Sequence, residues 1–219
     1  MTRPELIVFD WDGTLVDSAG DIVSAMVHAS EALAIPTPDT RVMRRAIGLG
    51  LVEAFAQIFP DRSEDERQAL MARYREHYQR LPERVFGQPF PAVDTTLALL
   101  EERGHTLAVA TGKSRAGLDR SLAAVPWGRI FRESRCADET ASKPDPRMLE
   151  ELSLVLCVEP DAMLMVGDTT YDMEMARRFG CAAVGVAWGV HEREELLEAG
   201  AQQVFASVAD LPHWLLQPR

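Results

Sequence analysis

The chain has 219 residues, enough for one large domain or for a core domain with a smaller inserted one. Hydrophobic residues make up 47% and charged residues 26% of the sequence, and no apolar stretch approaches the roughly 18 residues of a membrane span. The net charge of −11 argues against nucleic acid or an anionic membrane as partner, because either would require a basic face. The N-terminus lacks a signal-peptide pattern, so we expect a cytoplasmic location.

The first predicted element is a buried parallel strand over residues 5–10, a short apolar run that ends in a turn at Asp12-Gly13-Thr14. About ninety residues without a convincing strand follow, far more than a simple crossover needs. We therefore predict an inserted helical cap domain over residues 17–85. Within it, Ser18 with Asp21 and Ser63 with Glu66 have the spacing of helix capping boxes.

Strand and helix patterns alternate through the rest of the chain. Further apolar runs, each typical of a buried strand, occupy residues 106–111, 162–167 and 182–186, with a weaker one at 203–205. Helical patterns separate them and stop at Gly104 and Gly180. This alternation predicts an α/β fold, a doubly wound (Rossmann-like) parallel sheet. Residues 1–16 and 86–219 would form this core domain.

Polar side chains stand where the predicted strands end. Asp10 follows the first strand, Thr111 ends the second, Asp168 follows the third, and Lys143 precedes a helix. Because ligands bind outside the carboxyl ends of parallel strands, these groups should meet in one crevice. Carboxylates suit Mg²⁺ and an ammonium group suits phosphoryl oxygens, so the set predicts a phosphate site with a hard divalent cation.

The lysine content supports this interpretation. Among the 23 basic residues only Lys113 and Lys143 are lysines, so arginine supplies the generic surface cations. Lysine is a compact point charge and arginine a planar fork, and the two exchange poorly at a crowded phosphate site. The scarcity favours a specific role for these two residues over a surface role.

Four motifs in order resemble those of the haloacid dehalogenase superfamily, subfamily IA. The DxDGT motif lies at Asp10 to Thr14, the strand-terminal threonine is Thr111, the lysine is Lys143, and the acidic GDxxxD motif spans Gly167 to Asp172. The resemblance covers essentially the whole chain, since the insert resembles the helical cap of that superfamily.

The resemblance implies roles for these residues. Asp10 would attack phosphorus to form an aspartyl-phosphate, and Asp12 would protonate the leaving alcohol and then activate water. Lys143 would offset the negative charge, and Thr111 would bind a phosphoryl oxygen.

The resemblance also implies a magnesium site. Mg²⁺ would be held by Asp10, Asp168 and the backbone carbonyl of Asp12, with Asp172 orienting metal-bound water. Asp172 could instead serve only at the start of a helix.

Asp12 separates this chain from relatives that are not phosphatases. Haloacid dehalogenases and phosphonoacetaldehyde hydrolases typically lack this second aspartate, so its presence indicates a phosphate ester as substrate. A pyrophosphatase and a β-phosphoglucomutase-like phosphotransferase stay open as alternatives. A phosphate-binding regulatory domain that has lost catalysis is the alternative of another class.

The pattern is most similar to the phosphoglycolate phosphatase branch, so the expected partner is a small phosphorylated metabolite. We expect Arg45, Gly48 and Gly112 to contribute to substrate binding, with Arg45 pairing with an anionic group on the leaving alcohol. A solvated basic helix face is the alternative for Arg45. The sequence indicates no oligomeric state, and it does not define which specific role Lys113 has.

Overall fold

The computed structural model describes residues 3–81 and 88–216, and within these ranges it contains six strands and ten α-helices. The strands are β1 (Leu6–Phe9), β2 (Thr106–Thr111), β3 (Glu133–Cys136), β4 (Met163–Gly167), β5 (Ala182–Val186) and β6 (Val204–Phe205). The helices are α1 (Ala19–Ala32), α2 (Thr40–Arg45), α3 (Leu51–Ile58), α4 (Glu64–Arg80), α5 (Val93–Glu102), α6 (Arg115–Ala124), α7 (Arg147–Leu156), α8 (Thr170–Phe179), α9 (Arg193–Ala199) and α10 (Leu211–Trp214).

All six strands form one parallel sheet in the order β3-β2-β1-β4-β5-β6. This confirms the predicted doubly wound α/β fold. The strand β1 lies in the middle, with Phe9 in register with Val109 of β2 on one side and Val166 of β4 on the other. The strand order reverses around β1, and in such sheets the crevice at the reversal point binds the ligand.

Helices cover both faces of the sheet. Alternate residues of β1 point to opposite faces, so Ile7 and Phe9 join one buried apolar cluster while Leu6 and Val8 join another. Burial on both faces explains why β1 reads as a continuous apolar run rather than as an alternating pattern.

The strand β3 was not predicted from the sequence. Its residues, Glu-Ser-Arg-Cys, form no apolar run, and three of the four are only partly buried. The strand lies at one edge of the sheet, where polar side chains can reach solvent. Pairing with β2 rather than hydrophobic pattern specifies this strand, from Ala108 opposite Glu133 to Thr111 opposite Cys136.

Helices α1 to α4 form the predicted helical insert and share their own apolar cluster. Ser63 and Glu66 make the predicted capping box at the start of α4. The prediction of a capping box at Ser18 is wrong, because the Ser18 side chain makes no cap hydrogen bond. The domain boundaries stay predictions, and the one between residues 85 and 86 lies outside the described residues.

Among the described residues, no helix is both long and apolar enough to cross a bilayer.

Candidate active site

Three buried carboxylates meet at the reversal point of the sheet. Asp10 follows β1, Asp168 follows β4, and Asp172 lies in the first turn of α8. Each offers one oxygen, and these oxygens lie within 4.8 Å of one another. Asp10 is 1% exposed, and the other two are fully buried. The structure therefore brings together three residues that the sequence placed on separate elements.

The ammonium group of Lys143 joins this cluster. Its Nζ lies 2.7 Å from Asp10 Oδ1 and 2.7 Å from Asp172 Oδ1, and the side chain has no solvent exposure. Three carboxylates and one ammonium leave a formal excess of two negative charges. One divalent cation would balance that excess.

Neighbouring backbone and hydroxyl groups fix the carboxylates. Asp168 accepts hydrogen bonds from Thr14 Oγ1 at 2.7 Å and from the Val190 amide at 2.9 Å. Asp172 Oδ2 accepts from the hydroxyl of Thr169 at 2.7 Å, within a capping box that begins α8. The role of Asp172 at the helix start is therefore compatible with its place in the cluster.

The turn after β1 requires glycine. Gly13 has φ of +81°, and a Cβ there would lie 2.2 Å from Asp168 Oδ2. A side chain at this position would be strained by the positive φ and would displace Asp168 from its present position. The glycine of the DxDGT motif thus allows the turn to pack directly against the Asp168 carboxylate.

Burial changes the proton affinity of the cluster. Burial raises the pKa of Asp10 well above its usual range, although Lys143 acts in the opposite direction. Burial, reinforced by the neighbouring Asp172, raises the pKa of Asp168 from 3.8 to about 7. These carboxyl groups therefore favour a proton or another cation as a charge partner.

The residues present fit a hard divalent cation. Asp10 Oδ2 is buried and has no hydrogen-bond partner among the described residues, which is costly for a carboxylate oxygen unless a cation occupies that side. Mg²⁺ prefers oxygen ligands. The cluster offers carboxylate oxygens, and its formal excess of two negative charges equals the charge of one Mg²⁺ ion.

Asp12 lies beside this cluster and faces a different cation. Its Oδ1 accepts a hydrogen bond from Ser18 Oγ and lies 2.9 Å from Nζ of Lys113. Burial lowers the pKa of the Lys113 ammonium, but the Asp12 carboxylate and the Tyr78 phenol outweigh that effect and raise it overall. The two lysines of the chain thus serve two neighbouring carboxylates, Lys143 at Asp10 and Lys113 at Asp12.

A cavity of about 320 Å³ opens between the cap and the core at Asp12. Gly48 of the cap and Gly112 of the core both line it, and a Cβ on Gly112 would lie 2.3 Å from the carbonyl oxygen of Leu49. The two predicted glycines therefore form a close cap–core contact beside Asp12. Thr111 is fully buried at the end of β2, and its Oγ1 accepts the Lys113 amide at 3.2 Å.

The structure does not bring Arg45 to the cavity. Its guanidinium donates bidentate hydrogen bonds to the carboxylate of Glu195 in α9, with donor–acceptor distances of 2.7 and 3.3 Å. The side chain is about half exposed, at 52%. The expectation that Arg45 pairs with the substrate is therefore not supported, because its charge is already matched by a carboxylate outside the site.

Three residues at the site gained no role there from sequence reasoning. Ser18 fits a helix-start pattern, yet its hydroxyl bonds Asp12. Tyr78 lies near the end of α4 in the cap, and its hydroxyl lies 3.2 Å from Lys113 Nζ. The scarcity of lysine was the one signal that pointed to Lys113, and nothing local in the sequence indicates the long-range contact with Tyr78.

The fold and the site define a cap-bearing α/β phosphatase. The chain belongs to the haloacid dehalogenase-like hydrolases, whose family profile matches residues 7–186. It is 40% identical over 220 residues to the probable phosphatase IndB of Dickeya dadantii, covering 97% of this chain and 95% of that protein. It is 33% identical to a phosphoglycolate phosphatase of Mesorhizobium japonicum, covering 88% of this chain and 86% of the relative.

Among solved structures, the chain is similar to a predicted phosphoglycolate phosphatase from Haemophilus somnus. The TM-score is 0.85 at 26% sequence identity, and the match covers 98% of this chain and 99% of the other. The likeness extends over the cap as well as the sheet, since the match spans nearly the whole chain.

Proposed function

We propose that this phosphatase is Mg²⁺-dependent, forms an aspartyl-phosphate on Asp10, and hydrolyses a small phosphomonoester similar to phosphoglycolate. The observation that carries the proposal is the buried set of Asp10, Asp168, Asp172 and Lys143, with its excess of two formal negative charges, next to a cavity lined by Asp12. A divalent cation and a phosphoryl group complement such a set.

Asp10, Asp168 and the backbone carbonyl of Asp12 would hold the cation, with Asp172 orienting its water. When bound, Mg²⁺ lowers the repulsion between the attacking carboxylate and the phosphoryl group.

Side chains of the protein carry out the nucleophilic attack and the proton transfers. Asp10 attacks phosphorus, and the bond between phosphorus and the leaving oxygen breaks as Asp12 supplies a proton to that oxygen. Asp12 then accepts a proton from the water that hydrolyses the aspartyl-phosphate. Lys143 neutralises charge at Asp10, where its Nζ lies 2.7 Å from Oδ1. Thr111 offers its hydroxyl to a phosphoryl oxygen.

Two observations support a small acidic substrate. The cavity of about 320 Å³ suits a small metabolite. The relative from M. japonicum is named a phosphoglycolate phosphatase.

The test is turnover of p-nitrophenyl phosphate with Mg²⁺, followed by rates on phosphoglycolate, sugar phosphates, nucleotides and pyrophosphate. We expect EDTA and Asp10→Asn to abolish turnover, and phosphoglycolate to give the highest kcat/KM. Asp145→Asn is the matched control, because Asp145 is a partly exposed carboxylate paired with Arg147. Absence of turnover with every divalent metal would favour a phosphate-binding domain instead.

A further inference from the structure

Lys113 occupies a place that its local sequence does not explain. It follows Thr111 at the end of β2, and its side chain is only 8% exposed. Its Nζ lies 2.9 Å from Asp12 Oδ1 in the core and 3.2 Å from the Tyr78 hydroxyl in the cap. The ammonium also lies 5.3 Å from the centre of the Tyr78 ring, within range of a cation–π contact.

The side-chain contacts of Asp12 involve only one of its two carboxylate oxygens. Ser18 Oγ and Lys113 Nζ both reach Oδ1, whereas no described residue donates to Oδ2. Two donors on one oxygen fix the orientation of the carboxyl group and leave the other oxygen for the reacting proton. Positioning of this kind matters because misplacing a catalytic group by about 1 Å can cost on the order of 100-fold in rate.

We propose that Lys113, braced by Tyr78 of the cap, is a positioning residue that orients Asp12 for proton transfer to the leaving alcohol. The proposal rests on the proposed function, since it takes Asp12 as the proton donor. It explains the position of Lys113 between the two domains: Lys113 and Asp12 belong to the core, whereas Tyr78 belongs to α4. The positioning of Asp12 is thus complete only when the cap contacts the core.

The proposal predicts a dependence on the leaving group. An alkyl alcohol needs a proton from Asp12 to depart, whereas p-nitrophenolate leaves readily without one. The kcat/KM value reports the steps up to the departure of the alcohol. If Asp12 is no longer correctly oriented, kcat/KM should therefore fall for alkyl esters and change little for the aryl ester. Because the later hydrolysis of the phosphorylated enzyme is common to all substrates, kcat alone would hide this difference.

The experiment compares wild-type protein with Lys113→Met on ethyl phosphate, phosphoglycolate and p-nitrophenyl phosphate with Mg²⁺. We expect kcat/KM to fall roughly 10- to 100-fold for both alkyl esters, part of the ~10²–10⁴ that general acids contribute. For p-nitrophenyl phosphate we expect less than about a 3-fold fall, since that reaction does not need the acid. In an Asp12→Asn background, Lys113→Met should add no further discrimination, because the two residues act as one unit.

Two further variants keep the test decisive. Tyr78→Phe removes only the hydroxyl group that braces Lys113, and it should show the same leaving-group pattern at smaller size even if Lys113→Met folds poorly. Arg135→Met is the matched control, because Arg135 is a partly buried core cation on the edge strand β3, where it is paired with Glu133 and Glu151 rather than with Asp12. It should leave the ratio of alkyl to aryl kcat/KM unchanged.

Three results would overturn the proposal in different ways. An equal fall for all three substrates would mean that Lys113 only maintains the fold. A fall confined to phosphoglycolate would make Lys113 a ligand of the substrate carboxylate. If the wild-type protein hydrolysed none of the three esters, the proposed function itself would fail and this inference with it.

Discussion

Replacing Lys143 by methionine should destabilise the metal-free protein strongly. The substitution keeps most of the side-chain volume but removes the ammonium that lies 2.7 Å from both Asp10 and Asp172. Breaking a buried ion pair by removing one partner costs about 3–5 kcal/mol, because the remaining charge is buried without compensation. For a chain of this size, 1 kcal/mol corresponds to a Tm change of about 2–4 °C, so the Tm should fall by roughly 6–20 °C.

The measurement is urea and thermal unfolding in EDTA at pH 8, repeated with Mg²⁺. We expect the cation to restore part of the lost stability in Lys143→Met, since it supplies charge to the same carboxylates. Arg147→Met is the control, because its ion pair with Asp145 lies at the surface and should contribute little. If Lys143→Met unfolded at the same urea concentration as the wild type in EDTA, the charge argument for this site would be refuted.

Three other outcomes follow from the structure. Because the pKa of Asp168 is raised to about 7, the folded metal-free protein holds more protons than the unfolded chain and loses stability as pH rises from about 4 to 7. The Tm increase given by Mg²⁺ should therefore grow between pH 5 and pH 8 by differential scanning fluorimetry, and a constant increase would contradict this. Gly112→Ala would place a Cβ 2.3 Å from the Leu49 carbonyl oxygen. The cap should therefore be displaced and kcat/KM should fall more than about 10-fold. An unchanged kcat/KM would argue against the close contact. Arg45→Ala should leave the ratio of kcat/KM for phosphoglycolate and a neutral phosphomonoester unchanged, because Arg45 is paired with Glu195. A fall in kcat/KM for phosphoglycolate alone would indicate that Arg45 binds the substrate.

The parts of the fold that could be predicted from sequence are those specified by local pattern. The strand β1 is buried on both faces, so its residues are uniformly apolar until Asp10 ends the run. The side chains of Ser63 and Glu66 each accept a hydrogen bond from the other residue's backbone amide, within one helical turn. Their spacing in the sequence therefore predicts the start of α4. The polar edge strand β3 has no such pattern and depends on pairing with β2.

The same distinction applies to the site. The residues of the four motifs could be placed together because parallel strands bring their carboxyl ends to one edge. Most contacts between side chains of the cap and the core could not be predicted, because they depend on how residues far apart in the sequence pack against one another. Arg45 has the chemistry of a carboxylate ligand, yet the cap directs it toward Glu195. Tyr78 belongs to α4 of the cap, and its hydroxyl lies 3.2 Å from Lys113 Nζ in the core.

The proposed function depends above all on phosphorylation of Asp10 during turnover. The most direct measurement is acid quenching of the protein during steady-state turnover with Mg²⁺, followed by peptic digestion and mass spectrometry. We expect a hydroxylamine-sensitive phosphoryl group on the peptide that carries Asp10, absent in EDTA and in Asp10→Asn. A phosphoryl group on another residue, or continued turnover by Asp10→Asn, would contradict it.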